Sequence, residues 1–328
     1  MSKSTIITTF VVSSILTTCC FANTPSQTVK ITPLGSHAGE FCRYDRAMLF
    51  EDPNGTRILY DPGHTVAGPN DPRLGKIDAV ILSSVHTDHL GSSRIAAANA
   101  GTCKKPNINV KTPNSNTAEI IVNKNAVSHL GGEMAQFMQN KVKAAGGRKL
   151  TNIKKLRFGG EATVGGVKIA VVPVTHSNGA EPVFLDKKLK ALLGKNGLTA
   201  YVGPDNGFIL SFTNGLVVYL SGDSGITAEQ DVTVRNYYGA KLAIINAGGV
   251  YTSGPKEAAY SINELVKPNA VIPEHMNEQA TKNGRLLPNS KTAQFKKLVK
   301  NIPVYIPLSG RTMSFNAKGI CVKSCVGS

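Results

Sequence analysis

Residues 79–91 read AVILSSVHTDHLG, in which an apolar run leads directly into His86, Asp88 and His89. Side chains that follow a buried strand are held at the edge of a rigid sheet, where several of them meet at one point. Imidazole and carboxylate groups without thiolates suit zinc, and iron or manganese also accept them. The stretch therefore predicts a strand that ends in a hydrolytic metal site.

Three later apolar runs end in the same kinds of residue. VKIAVVPVT precedes His176, LVVYLSG precedes Asp223, and NAVIPE precedes His275. A single histidine after a strand is usually a polar cap. Four strand ends that each deliver histidine or aspartate are better explained by one shared metal site.

Strand-like apolar runs recur along the chain, and short turns join some of them. Asn214-Gly215 is the strongest short hairpin signal, and Asp52-Pro-Asn-Gly55 predicts another turn. Helices are expected over residues 133–144 and 255–265. The predicted strands cover residues 29–32, 47–50, 57–60, 79–82, 167–172, 208–212, 216–220, 242–245, 270–272 and 304–306.

Taken together, the motifs resemble the metallo-β-lactamase-fold hydrolase superfamily, in which HxHxDH is followed by separate His, Asp and His motifs. The stretches GGEATVGGVKIAVVPVTHSNG (159–179), VVYLSGDSG (217–225) and GGVYTSGPKEAAYSINELVKPNAVIPEH (248–275) resemble one branch more closely. That branch includes the ascorbate-phosphate lactonase type and its uncharacterised metal-dependent hydrolase relatives. The resemblance implies an α/β fold, a four-layer αββα sandwich of two mixed β-sheets.

The resemblance also implies a set of metal ligands at two positions. Asp223 would bridge the positions, and Asp61, in ILYDPG, would support the metal loop. Asp88 would act in catalysis by orienting a metal-activated water that attacks a carbonyl or phosphoryl centre. The first position would take His86 and His176, and the second would take Asp88, His89 and His275.

The sequence departs from the family motif at Ser84, which replaces the first histidine. A neutral hydroxyl is a weak ligand, so Ser84 is a doubtful one, and we expect the second position to bind its ion more tightly than the first. A mono-metal hydrolase, a di-metal enzyme with water in the gap and a non-catalytic descendant all remain open. The expected cofactor is zinc, one or two ions per chain, with manganese or iron as alternatives.

Two further histidines are candidates for substrate binding. His37 lies in LGSHAGE, where related hydrolases often place a Gly-His pair near the active site, and His64 follows Asp61 by three residues. Either residue would bind substrate or compensate for the missing ligand. The alternative for each is an ordinary loop histidine.

The N-terminus reads MSKSTIITTFVVSSILTTCCFA, with Lys3 ahead of an uncharged apolar stretch. Small side chains at Cys20 and Ala22 favour a secretory signal peptide over residues 1–22, cut after Ala22, and hence a periplasmic or secreted protein. A buried N-terminal element and lipoprotein cleavage before Cys19 are the alternatives. Residues 23–328 contain no linker or repeat and are expected to form a single hydrolase domain without a transmembrane segment.

The predicted mature chain keeps four cysteines, which in an oxidising compartment indicate two disulfides. Cys321 and Cys325 are close enough to form one pair, with Cys42 and Cys103 as the other candidates, although sequence alone does not fix the pairing. A zinc site built from these cysteines is disfavoured, because the predicted mature chain contains no CxxC pair.

The chain carries a net charge of +16 at pH 7, and residues 104–168 alone hold twelve basic and three acidic residues. This excess favours an anionic small-molecule substrate, although a solvated face is the simpler account and nucleic acid a weaker one. We therefore predict hydrolysis of a small ester, lactone, amide or phosphoester. The alternative is a non-catalytic metal- or nucleic-acid-binding envelope protein that retains the fold. The oligomeric state is left open.

Overall fold

Twelve strands form two central sheets in the computed structural model, which describes Met1 and residues 27–112 and 114–326. Apart from Met1, the predicted signal peptide and its cut after Ala22 lie outside the described residues. The strands are β1 (Val29–Pro33), β2 (Met48–Glu51), β3 (Arg57–Tyr60), β4 (Ala79–Ile81), β5 (Glu161–Val164), β6 (Val167–Pro173), β7 (Asn206–Ser211), β8 (Val217–Leu220), β9 (Leu242–Asn246), β10 (Ala270–Glu274), β11 (Met313–Phe315) and β12 (Cys321–Lys323).

Both sheets contain parallel and antiparallel pairs. The first sheet has the order β12-β11-β1-β2-β3-β4, and the second has the order β5-β6-β7-β8-β9-β10. Strands β3 and β4 run parallel, as do β8, β9 and β10, while the remaining pairs are antiparallel. Strands β4, β6, β8 and β10 therefore deliver the loops after them to one edge of the sandwich.

Helices cover the outer faces of the two sheets. The α-helices are α1 (Thr87–Leu90), α2 (Asn116–Lys124), α3 (Gly132–Ala144), α4 (Lys187–Lys195), α5 (Pro255–Tyr260) and α6 (Lys291–Leu298). Two π-helical segments occupy Gln230–Tyr237 and Ser261–Val266, and 3₁₀ turns lie at Leu150–Asn152 and Pro182–Phe184. Short strand pairs join Ser93–Arg94 to Val110–Lys111, Gly101–Thr102 to Lys105–Pro106, Ser128–Leu130 to Ile153–Lys155, Gly179–Ala180 to Ala200–Tyr201, and Thr281–Lys282 to Arg285–Leu286.

Three apolar clusters hold these layers together. Phe50, Tyr60 and Phe208 belong to the cluster between the sheets. A second cluster packs α2 and α3 against the outer face of the first sheet, and a third packs α5 and α6 against the second. Burial of these faces is the main favourable term in folding. The arrangement confirms the predicted αββα sandwich of two mixed sheets.

The predicted turns form where the sequence places them. Asn214-Gly215 connects β7 to β8, and Gly215 has a φ of +88°, which a residue without a side chain adopts readily. Gly55 plays the same part between β2 and β3, with a φ of +89°. The strand predicted at residues 304–306 is wrong, because only Val304 forms an isolated bridge, to Val271.

Two disulfides tie loops to the sandwich. Cys42 is bonded to Cys103 across 61 residues of sequence, and Cys321 is bonded to Cys325 within the last strand and its tail. Within the described residues, none of the helices combines the length and apolar character that crossing a membrane requires.

Candidate metal centre

The strand-end residues converge into two adjoining sets of potential ligands. We call His86, His176 and Asp223 the first half of the centre, and Asp88, His89 and His275 the second half. Within each half, one ligand atom from every residue lies within 4.8 Å of the others. The structure thus brings together all six His and Asp side chains that the motif indicated.

The first half is built from the loops after β4, β6 and β8. His86 caps the start of α1, and its ring meets that of His176 edge-on at 5.2 Å between centroids. The start of α1 is anchored by Glu181, whose Oε1 accepts hydrogen bonds from Thr87 N and Oγ1, both at 2.8 Å. Burial lowers the pKa of both histidines, so their imidazoles are neutral at pH 7, the form that ligates a metal.

Asp223 contacts both halves. Its Oδ2 lies 3.0 Å from His89 Nε2 and 3.8 Å from His176 Nε2, and its Oδ1 lies 3.4 Å from His275 Nε2. Burial alone would raise the pKa of Asp223, but His275 and His89 lower it below its usual range. Asp223 thus lies between the two halves, and the bridging role implied by the family motif stays a prediction.

Asp61 supports the second half through hydrogen bonds to His89 and Ser83. Its Oδ2 lies 2.7 Å from His89 Nδ1 and 2.5 Å from the Ser83 hydroxyl, and its Oδ1 accepts from Ser83 N at 2.8 Å. These bonds fix the ring of His89 with Nε2 toward the centre. The loop also requires Gly63, because a Cβ there would lie 2.1 Å from the backbone oxygen of Asp88.

Arg46 enters the second half, and none of the sequence motifs includes it. It is buried at 2% exposure, and its Nη1 lies 2.5 Å from Asp88 Oδ2 and 3.0 Å from His89 Nε2. Burial alone would raise the pKa of Asp88, but Arg46 and then His89 lower it well below its usual range. The only signal in the sequence is a basic residue placed directly ahead of a buried strand.

The fit for a divalent ion therefore differs between the halves. In the first half, two neutral imidazoles and a carboxylate face one another, a donor set that suits zinc. In the second half, Nη1 of Arg46 touches two of the three donor groups, so a cation is already in place. An ion there requires Arg46 to move, because like charges at that distance repel strongly.

Ser84 stands beside the first half. It is fully buried, and its Oγ accepts a hydrogen bond from His86 N at 3.2 Å. The residue that replaces the family histidine is thus in contact with a ligand-bearing residue.

An open cavity of about 740 Å³ lies over the centre. Its wall includes His64, Arg43 and Tyr44, together with ligands of both halves. His64 Nδ1 is bonded to Ser93 O at 2.6 Å. His37 does not line this cavity. Its ring contacts Ser36 Oγ and Gly101 O instead.

A family profile described as "Beta-lactamase superfamily domain" matches residues 56–276, more than half of the chain. A UPF0173 metal-dependent hydrolase of Polynucleobacter asymbioticus is 27% identical, with 80% of this chain aligned to 81% of that protein. Another, from Herpetosiphon aurantiacus, is 24% identical, with 83% and 95% of the two chains aligned.

Solved structures agree on the fold. Igni18, described as a novel metallo hydrolase of the archaeon Ignicoccus hospitalis, superposes with a TM-score of 0.56 at 22% identity, covering 88% of this chain and 99% of that one. The metallo-β-lactamase fold protein YhfI of Bacillus subtilis gives 0.54 at 15% identity with the same coverage. The chain has the metallo-β-lactamase fold and belongs to the beta-lactamase superfamily domain family.

Proposed function

We propose that the centre uses zinc to hydrolyse a small anionic ester, lactone, amide or phosphoester outside the cytoplasm. The observation that carries the proposal is the convergence of six His and Asp side chains, five of which line one open cavity. Hydrolysis as the reaction class is supported by the family and by curated relatives described as metal-dependent hydrolases.

The chain's own residues prepare the site for this chemistry. A divalent ion, when bound, supplies a more acidic water and a Lewis acid for the electrophilic oxygen. Asp88 borders the cavity with its side chain 29% exposed, so its carboxylate is available to orient a water molecule or hold a proton. Asp61 and Glu181 keep the loop that bears Asp88 in place from either side.

An anionic substrate is supported by the basic wall of the cavity. Arg43 is exposed, stacks on the Tyr44 ring at 5.4 Å, and lines this cavity as well as an adjoining one that includes Lys104. A guanidinium at the rim attracts carboxylates and phosphates and binds them in a fixed geometry.

A location outside the cytoplasm is supported by the two disulfides and by the N-terminal sequence. Disulfides such as Cys42–Cys103 persist in oxidising compartments and are rare in the cytosol. The signal-peptide pattern over residues 1–22 points the same way. N-terminal sequencing of the exported protein tests this part, with a start at Asn23 as the expected result.

The test of function is a panel of lactones, β-lactams, carboxylic esters and phosphodiesters, each in anionic and neutral form, with and without added zinc or manganese. We expect zinc-dependent turnover of an anionic member. The Arg43→Gln variant should raise KM for that substrate about tenfold, as loss of a charge-assisted hydrogen bond implies, and leave KM for its neutral analogue unchanged.

The matched control is Lys318→Gln, which removes an exposed charge from the turn between β11 and β12. Absence of turnover across the panel, combined with salt-dependent binding of nucleic acid, would support the alternative of a non-catalytic envelope protein instead.

A further inference from the structure

Asp205 carries a buried carboxylate that is unpaired among the described residues. The residue is fully buried, and neither carboxylate oxygen has a hydrogen-bond partner among the residues that the structure describes. Burial raises the pKa of Asp205 to about 8. An unpaired carboxylate inside a protein is costly and rare, and a bound cation is one of the few groups that offsets the cost.

The backbone places Asp205 beside the gap in the first half. The next residue, Asn206, donates from its backbone N to Ser83 O at 2.8 Å. Gly222 packs against the same pair, because a Cβ there would lie 2.9 Å from Asn206 O and 3.1 Å from Ser83 Cβ. Asp205 and Ser84 are therefore each adjacent in sequence to one of two residues in direct backbone contact, next to the loop that carries Asp223.

We propose that Asp205, together with Ser84, completes the first half of the metal centre in place of the histidine found in the family motif. A histidine supplies one neutral nitrogen. Here the hydroxyl of Ser84 supplies an oxygen, and the carboxylate of Asp205 supplies the negative charge that a neutral hydroxyl lacks.

The hydrogen bonds of Ser84 are compatible with this division of roles. Its Oγ accepts from His86 N at 3.2 Å, so its own hydrogen remains free to point toward an acceptor. The Ser84 hydroxyl is also among the groups that lower the pKa of Asp205. A carboxylate that accepts from a ligand orients the ligand and increases its basicity.

The test measures zinc affinity by chelator competition for the wild type, Asp205→Asn, Ser84→His and the double variant. We expect Asp205→Asn to weaken zinc binding at the first half about 100-fold, near the upper end of what loss of a supporting carboxylate costs. Ser84→His in the Asp205→Asn background should restore the affinity to near the wild-type value. Asp52→Asn is the matched control, since Asp52 is a buried carboxylate in the β2–β3 turn, bonded to Thr213.

Melting temperatures distinguish a metal role from a structural one. Asp205→Asn should melt no lower than the wild type without zinc, because it replaces an unpaired buried acid with a neutral amide of the same shape, and it should lose most of the zinc-induced rise. A lower metal-free melting temperature with unchanged zinc affinity would overturn the proposal, as would failure of Ser84→His to rescue. The inference rests on the centre binding an ion, not on the proposed substrate, so absence of turnover leaves it intact.

Discussion

The two halves of the metal centre are incomplete in opposite ways. The first half lacks one imidazole, because Ser84 replaces the family histidine, and the buried carboxylate of Asp205 lies next to the gap. The second half keeps all its motif residues, yet the guanidinium of Arg46 contacts Asp88 and His89 there. One half is short of a ligand, whereas the other already contains a positive charge.

The pKa values of the histidines also differ between the two halves. Burial lowers the pKa of His86 and His176. Burial would also lower the pKa of His89, but Asp223 and Asp61 outweigh it and raise that pKa well above the usual value. An ion entering the first half meets neutral imidazoles, while one entering the second half must displace a proton and a guanidinium. The motif alone predicts tighter ion binding in the second half, whereas these contacts favour tighter binding in the first.

The largest expected effect is the difference between His176→Ala and His275→Ala. The first variant removes a histidine from the first half, and the second removes one from the second half. Loss of His176 should weaken the tight zinc site by at least about 100-fold and abolish turnover, because the ion loses a direct ligand. Loss of His275 should leave one zinc per chain after dialysis. Mass spectrometry of the metal content and chelator competition measure both. The reverse pattern would place the ion in the second half and break the comparison.

The second prediction concerns Arg46→Met, which removes the charge from the second half. Without zinc the variant should be less stable by about 2–3 kcal/mol, less than a fully buried pair costs, because Asp88 keeps contact with solvent. With excess zinc it should bind two ions instead of one and recover stability. Calorimetry and native mass spectrometry measure the two effects. Arg46→Lys is the control and should keep a single ion; two tight ions in the wild type would contradict the assignment.

The features predicted from sequence are those with a local pattern. The strand-end motifs indicated six converging side chains, and the Asn214-Gly215 turn indicated a hairpin, because each pattern lies within a few residues. The strand at Glu161–Val164 was not predicted, since it lies at the sheet edge and none of its residues is fully buried. Residues 304–306 are apolar because they are part of the core rather than because they pair in a sheet: Val304 and Ile306 belong to the third cluster and Tyr305 to the cluster between the sheets.

Arg46 and Asp205 could not be identified in this way. Arg46 contacts Asp88 across 42 positions, and Asp205 reaches its place only through the contact of Asn206 with Ser83. No spacing rule connects such residues, because they are far apart in sequence, lie outside the strands and meet only when the chain folds. The charges of Arg46 and Asp205 nevertheless determine the affinity that we expect each half to have for an ion. The convergence of the six side chains could thus be predicted from sequence, whereas the difference between the halves could not.

The smallest expected effect sharpens the comparison through pH. In the ion-free protein the pKa of Asp205 is raised to about 8, so this carboxyl is protonated at pH 7 and must lose its proton when an ion binds. Zinc affinity should therefore rise about fivefold from pH 7 to pH 8 and level off above that range. His86 and His176 add no slope here, because their lowered pKa values keep them neutral. Chelator competition at several pH values measures the slope, and Asp205→Asn should remove it. A slope that survives in Asp205→Asn would instead trace the proton to His89, whose pKa is raised well above its usual value, and so place the tight ion in the second half.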